Sequence, residues 1–230
     1  EMFLGSDAIA LAPFTNSITY LEDGDWAVVR RNDVAIFDMD GNKVDRKRQQ
    51  SLSTSFMVDK GNRRHFMEKE IHEQPEVISH TLAHYVDFVG GVSKPLDLPF
   101  DFAKIDRLAI SACGTAGMKI GAVVNVREST MARESDVILP TLAGPEIGVA
   151  STKAFTCQLS VLASLAVRAG VARGTILQEQ ETTLVRQLSE APRYANQVLK
   201  LDGQIEKVAR DLSHYKNVLY LGRDTNFPLA

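Results

Sequence analysis

The chain has 230 residues, 44% hydrophobic and 24% charged, with a formal net charge of −3. That is the composition of a globular chain with room for one good core or two small ones, and its slight acidity argues against a nucleic-acid surface, which carries a basic excess. No apolar run is expected to approach the length needed to cross a membrane. No secretory signal follows Glu1, and because the first residue is not Met, the natural start is expected to lie upstream. The two cysteines, Cys113 and Cys157, lack a metal-ligand spacing. Two reduced thiols in a cytoplasmic protein, with no cofactor and no metal, are the expectation.

Residues 1–58 read as β-rich. Short apolar or β-branched runs at 8–11, 18–21, 26–29 and 34–37 are separated by the turn formers Pro13, Asn16, Asp23-Gly24, Asn32-Asp33 and Asp40-Gly41-Asn42. Asp40-Gly41 between two extended runs signals a hairpin. Trp26, the only tryptophan, reads as packing. A polar and charged stretch then marks a linker, placed at 59–75. It contains a short helix near 65–71, and Pro75 opens a new helix with an apolar face at Ile78, Leu82, Tyr85 or Val86, and Val89, ended by Gly90-Gly91. His80 and His84 lie four apart on that helix, but without the H-E-x-x-H pattern or a third ligand they read as ordinary helix histidines.

Residues 105–113 read as a buried strand, with Cys113-Gly114-Thr115-Ala116 at its carboxyl end, where open α/β sheets bind ligands. Gly114 permits close backbone approach, and Thr115 offers a hydroxyl and an N–H. Residues 119–126 read as a fully buried parallel strand, yet too few residues separate the two strands for a parallel crossover. Either they form an antiparallel hairpin or sequence is missing between Ala116 and Met118. A short helix start at 127–135 and a strand at 136–140 follow, giving the strand–helix alternation of an α/β fold.

The stretch 145–155 is a glycine-containing loop turning into a helix whose apolar stripe is Phe155, Leu159, Leu162 and Ala166. Ser151 and Thr152 can accept hydrogen bonds from the first-turn N–H groups, which is plain N-capping. The same helix start, with its hydroxyls and Lys153, is also a seat for an anion. Residues 150–214 read as helical: one helix to about Gly170, a second over 177–199 with a break at Pro192, and a third over 203–214. Residues 217–223 read as a strand plus a glycine turn.

Three ordered motifs resemble the glucosamine-6-phosphate synthase family: Lys69-Glu70-Ile71-His72-Glu73-Gln74-Pro75, Cys113-Gly114-Thr115, and Glu146 to Phe155. The resemblance implies a sugar isomerase (SIS) fold, a doubly wound parallel α/β sheet, preceded by the β-rich end of an N-terminal-nucleophile glutaminase domain. It divides the chain into 1–58, the end of the glutaminase domain; 59–75, a linker; 76–214, a first SIS domain with an internal gap near 116–118; and 215–230, the start of a second. The implied reaction is glutamine-dependent conversion of fructose 6-phosphate to glucosamine 6-phosphate in amino-sugar biosynthesis, by a cytoplasmic homodimer with no nucleic-acid or membrane partner. The alternative is a non-catalytic SIS-type sugar-phosphate-binding module. The implied sugar-phosphate positions are Cys113, Gly114, Thr115, Ala116, Val149, Ala150 and Ser151. Ala116 stands where the family has serine. The family's phosphate loop, S-Q-S-G-E-T, has no counterpart here. Its nucleophilic cysteine, Schiff-base lysine, isomerising glutamate and ring-opening histidine are expected outside this chain, so no catalytic residue is carried over. Lys153 reads as local positive charge and Glu146 as loop structure.

Overall fold

The computed structural model describes residues 2–5, 8–51, 59–105, 119–127, 129–219 and 221. Residues 8–11, read as an extended run, instead form a helical turn, α1 (Ala8–Leu11). Five short strands follow: β1 (Ser17–Thr19), β2 (Trp26–Val29), β3 (Val34–Phe37), β4 (Lys43–Val44) and β5 (Arg48–Gln50). They make two antiparallel sheets, β2-β3-β4 and β1-β5. The hairpin expected at Asp40-Gly41 joins β3 to β4. Asp38 Oδ1 accepts the N–H groups of Asp40 and Asn42, and Gly41 takes the left-handed φ of +82° that a side chain would resist. Trp26 stacks on Phe37 with ring centroids 4.4 Å apart. Ile18 and Ile36 are the buried aliphatics of this β-rich part.

The stretch read as a linker is helical from Phe66 onward. A single helix, α2 (Phe66–Tyr85), runs through Pro75 instead of starting there. Its buried positions are Glu70, Ile78, Thr81, Leu82 and Tyr85. Tyr85 is the last helical residue; β6 (Val86–Asp87) turns back through Gly91, φ +66°, to β7 (Val92–Ser93). Val89 therefore sits on the hairpin tip, fully exposed, and not on the helix face assigned to it. His72 Nδ1 lies 2.8 Å from the Glu68 carbonyl oxygen, and His84 meets the Tyr85 ring edge-on.

The strand expected at 105–113 and the Cys113-Gly114-Thr115-Ala116 loop lie outside the described residues. Beyond them, β8 (Gly121–Val124) and β9 (Val137–Pro140) pair in parallel, Gly121 opposite Val137 through Val124 opposite Pro140. The short helix α3 (Thr130–Arg133) lies in the connection. Residues 125–136 give about the dozen residues that a parallel crossover needs. Ser129 accepts the Ala132 N–H and so caps α3.

Four helices complete the body: α4 (Lys153–Ala172), α5 (Gln178–Ser189), α6 (Ala191–Leu199) and α7 (Asp202–Leu212). The break between α5 and α6 falls at Glu190, and Pro192 sits in the first turn of α6, where its missing N–H costs nothing. Residues 217–219 and 221 form no strand, and Leu219 and Leu221 are exposed. An isolated apolar run without a neighbour to pair with has no ladder to join.

The principal core lies between α2 and α4, where Ile78, Leu82 and Tyr85 face Cys157, Val161 and Leu165, with Val185 of α5 beneath. The register of α4 differs from the stripe read in its sequence. Ala154, Cys157, Ser160, Val161, Ser164, Leu165 and Val167 are buried, whereas Phe155, Leu159 and Ala166 are exposed. Small residues let the two helices approach closely. Ser160 and Ser164 remain tolerable there because each hydroxyl donates to the carbonyl four residues earlier, Thr156 and Ser160 respectively. The helix also corrects the expectation about membrane-length segments: at 20 residues and a mean hydropathy of 1.4, α4 is long and apolar enough to span a bilayer. Its packing on α2 and its buried Lys153 identify it as a core helix.

Candidate functional site

The loop 141–152 leaves the carboxyl end of β9 and enters α4, the position at which α/β sheets carry their ligands. Its base is tied to the end of β8 and to α2. Thr141 Oγ1 donates to Asn125 Oδ1 at 2.8 Å, Asn125 Nδ2 donates to the Gly144 carbonyl at 2.7 Å, and the Leu142 N–H donates to Thr81 Oγ1. Asn125, just past the end of β8, thus fastens the loop that follows β9, and the two parallel strands share one working edge.

The start of α4 is capped differently from either sequence expectation. Thr152 is the N-cap residue, but its side chain accepts no hydrogen bond from the helix. The acceptor is Glu146. Its Oε1 takes the N–H groups of Thr152 and Ala154 at 2.7 and 3.3 Å and the Thr152 hydroxyl at 3.3 Å, while Oε2 takes the Ser151 hydroxyl at 3.0 Å. A carboxylate reaching forward from the loop is a charged acceptor at the positive end of the helix dipole, so it displaces the weaker hydroxyl caps. The anion seated at this helix start is therefore the protein's own. Burial pushes the Glu146 carboxyl upward, but the Thr152 and Ala154 N–H groups and the two hydroxyls outweigh it and hold the carboxyl below its ordinary value of 4.5. A lowered folded-state pKa contributes stability that is fully present above 4.5 and is lost as pH falls through the folded value. Glu146→Gln should therefore cost about 1 kcal/mol at neutral pH, the usual worth of a helix cap. The gap between variant and parent in thermal unfolding should close as pH falls below 4.5; a gap that stays constant to pH 3 would show that the carboxylate charge plays no part.

Two further carboxylates reach the loop from α2. Glu70, 2% exposed, accepts the Ile147 N–H at 2.5 Å on Oε1 and the Gly148 N–H at 3.0 and 3.1 Å on its two oxygens. Glu73 Oε2 accepts from Lys153 Nζ at 2.6 Å, and Glu73 Oε1 pairs with Lys69 at 3.5 Å. Lys153, read from sequence as local positive charge at the helix start, is 4% exposed and paired with Glu73. The two separated motifs, 69–75 and 146–155, are thus two halves of one arrangement. Sequence reading missed Glu70 and Glu73 as partners of the loop, since nothing in a linear pattern says which turn of a helix faces a segment about eighty residues away.

Of the sugar-phosphate positions expected from sequence, Val149, Ala150 and Ser151 are exposed together at the loop tip, Val149 completely so. Cys113, Gly114, Thr115 and Ala116 lie outside the described residues. Cys157 is fully buried, and burial raises its thiol pKa, which leaves it a small core residue.

A parallel βαβ unit whose carboxyl-edge loop leads into a helix start is a feature of open α/β folds. A family model described as SIS domain matches residues 103–168. The C-terminal domain of glucosamine-fructose-6-phosphate aminotransferase from Francisella tularensis superposes with a TM-score of 0.60 at 22% identity. The match covers 74% of this chain and 66% of that one, and it gives the fold alone. The chain therefore has the α/β fold of a SIS domain. Over its whole length it is a relative of proteins named glutamine--fructose-6-phosphate aminotransferase [isomerizing]: 72% identical to that of Mesorhizobium japonicum over 292 residues, 53% to that of Agrobacterium fabrum and 52% to that of Rhizobium meliloti over 293. The chain spans 48% of each of these relatives. The first alignment is 292 positions long against 230 residues here, so 62 aligned positions have no residue of this chain opposite them.

Proposed function

We propose that this chain carries part of the sugar-phosphate site of an isomerising glutamine–fructose-6-phosphate aminotransferase, taking fructose 6-phosphate and glutamine to glucosamine 6-phosphate and glutamate. The observation that carries the reading is the similarity over the whole chain, 72% to a protein of that name, with the motif 146–155 held at the carboxyl edge of the parallel pair. At the loop tip the N–H groups of Val149 and Ala150 and the Ser151 hydroxyl are free of the core, and Glu146 orients Ser151. Those groups would hold sugar hydroxyls and the phosphate ester, with Cys113, Gly114, Thr115 and Ala116 completing the cradle. Their work is to fix the open-chain sugar for chemistry performed by residues of other segments.

The same reading makes the β-rich residues 1–58 the end of a glutaminase domain, the protein a cytoplasmic homodimer, and the segment from 215 the opening of a second SIS unit. It also puts the 62 unmatched positions between Ala116 and Met118. One feature supports that placement: α4 turns Phe155 and Leu159 outward, as loss of a covering layer would leave them. Neither a nucleic acid nor a membrane is a partner in this reading.

Calorimetric titration with fructose 6-phosphate tests it. The chain is expected to bind, and Ser151→Ala to weaken binding about tenfold, the worth of one or two good hydrogen bonds, with thermal stability changed little. No binding to the parent chain, or equal binding by Ser151→Ala, would count against the site. Formation of glucosamine 6-phosphate from fructose 6-phosphate and glutamine by the full-length protein tests the reaction itself.

A further inference from the structure

The Glu70 carboxylate is buried in a helix outside the loop, yet all of its assigned hydrogen bonds go to backbone N–H groups of that loop. A buried carboxylate needs several donors to be tolerated, and here Ile147 and Gly148 supply them. The arrangement is also sterically closed. A Cβ at Gly148 would lie 2.5 Å from Glu70 Oε2 and 3.2 Å from Met67 Cε, so only glycine lets the backbone come this close to the carboxylate. Gly148 has no left-handed φ, which leaves approach to α2 as the reason for glycine at this position. One residue further on, Val149, Ala150 and Ser151 emerge into solvent. Glu146, one residue before, folds forward onto Ser151 and Thr152. The loop is thus pinned at 147–148 from α2 and at 151–154 by Glu146, and the exposed tip is the short span between the two pins.

We propose that Glu70 is a positioning residue for sugar-phosphate binding: by holding the Ile147 and Gly148 N–H groups it fixes the conformation in which residues 149–151 meet the ligand. This rests on the functional reading above. Glu70 touches no ligand; it acts through two backbone amides. Glutamine at position 70 keeps the size but presents one acceptor oxygen in place of two and brings an NH2 group against N–H donors. The loop then loses its anchor while the helix keeps its packing.

The experiment combines fructose 6-phosphate titration with amide hydrogen exchange on the parent chain, Glu70→Gln and Gly148→Ala. For both variants, affinity is expected to fall about tenfold or more, and the Ile147 amide to exchange faster by a similar factor, while the core amides of Val161 and Leu165 keep their protection. A residue important only for packing would instead loosen those core amides and leave affinity in the folded fraction unchanged. A parent chain that binds, with Glu70→Gln binding equally well, overturns the inference alone. A parent chain that does not bind overturns the functional reading and this inference with it. If Glu70→Gln does not fold, Gly148→Ala, which presses on the same carboxylate from the loop side, decides by the same criteria.

Discussion

Replacing Glu73 with alanine should lower the thermal midpoint of the helical body by about 6–12 °C, the shift expected when a buried ion pair loses one partner at a cost of about 3 kcal/mol in a chain of this size. The charge left behind is Lys153, whose side chain is 5% exposed. Its ammonium loses Glu73 Oε2 at 2.6 Å, its one acceptor among the described residues, and sits at the start of α4, where the helix dipole disfavours a cation. The lower end of the usual range applies because Glu73 itself is 29% exposed, so water can partly replace it. The double variant Glu73→Ala/Lys153→Met separates the pair from its consequences. With the cation gone there is no buried charge to satisfy, and most of the lost stability should return. A single variant within about 1 kcal/mol of the parent, the range of an exposed pair, would mean that the lysine swings out to solvent and that the pair does not hold the loop. Monitoring helical circular dichroism during thermal unfolding is sufficient to tell these outcomes apart.

That pair also shows where the sequence was and was not readable. Element existence was legible wherever a local rule governed. Asp40-Gly41 forms its hairpin, Pro192 marks the break between α5 and α6, and the residues 136–140 read as a strand hold β9. Which face of a helix is buried was legible for α2, where Ile78, Leu82 and Tyr85 stand out against polar neighbours. It was not legible for α4. That helix is apolar almost all round, so periodicity offers several faces, and close packing against α2 selects the one with small residues at Ala154, Cys157 and Ser164. The boundary at Pro75 failed for a related reason. Proline's preference for a first turn is local, while burial of Glu70 and Ile78 on either side of it rewards one continuous helix. At the candidate site, the loop 149–151 was visible as a motif. Its supports were not, because Glu70, Glu73 and Glu146 read as ordinary charged residues until the fold brings them to the same few backbone amides. The hydroxyl caps proposed for Ser151 and Thr152 gave way to Glu146 because an ionised acceptor competes better for N–H groups at a helix start.

Leu82→Ala is expected to be the most damaging single truncation in the helical body, at about 4 kcal/mol, within the range for fully buried leucines. Leu82 has no exposed surface and belongs to the cluster formed with Cys157, Val161 and Val185. Removing its branched end opens a cavity between α2 and α4 that their close-packed backbones cannot easily collapse to fill. Leu82→Met, which keeps the volume, should cost less than about 1.5 kcal/mol. The effect should also be confined. Among the described residues, none of the β-rich part belongs to the cluster around Leu82, and that part has its own buried pair, Ile18 and Ile36. Trp26, stacked on Phe37 in that part, is the only tryptophan and therefore reports on it alone. In Leu82→Ala the denaturation midpoint read by helical dichroism should fall while the midpoint read by tryptophan fluorescence stays where it is in the parent. If both midpoints fall together, the β-rich part and the helical body unfold as one cooperative unit. Support for the loop 145–153 would then extend beyond α2 into the preceding sheets, and the anchoring by Glu70 and Glu73 would be only its nearest layer.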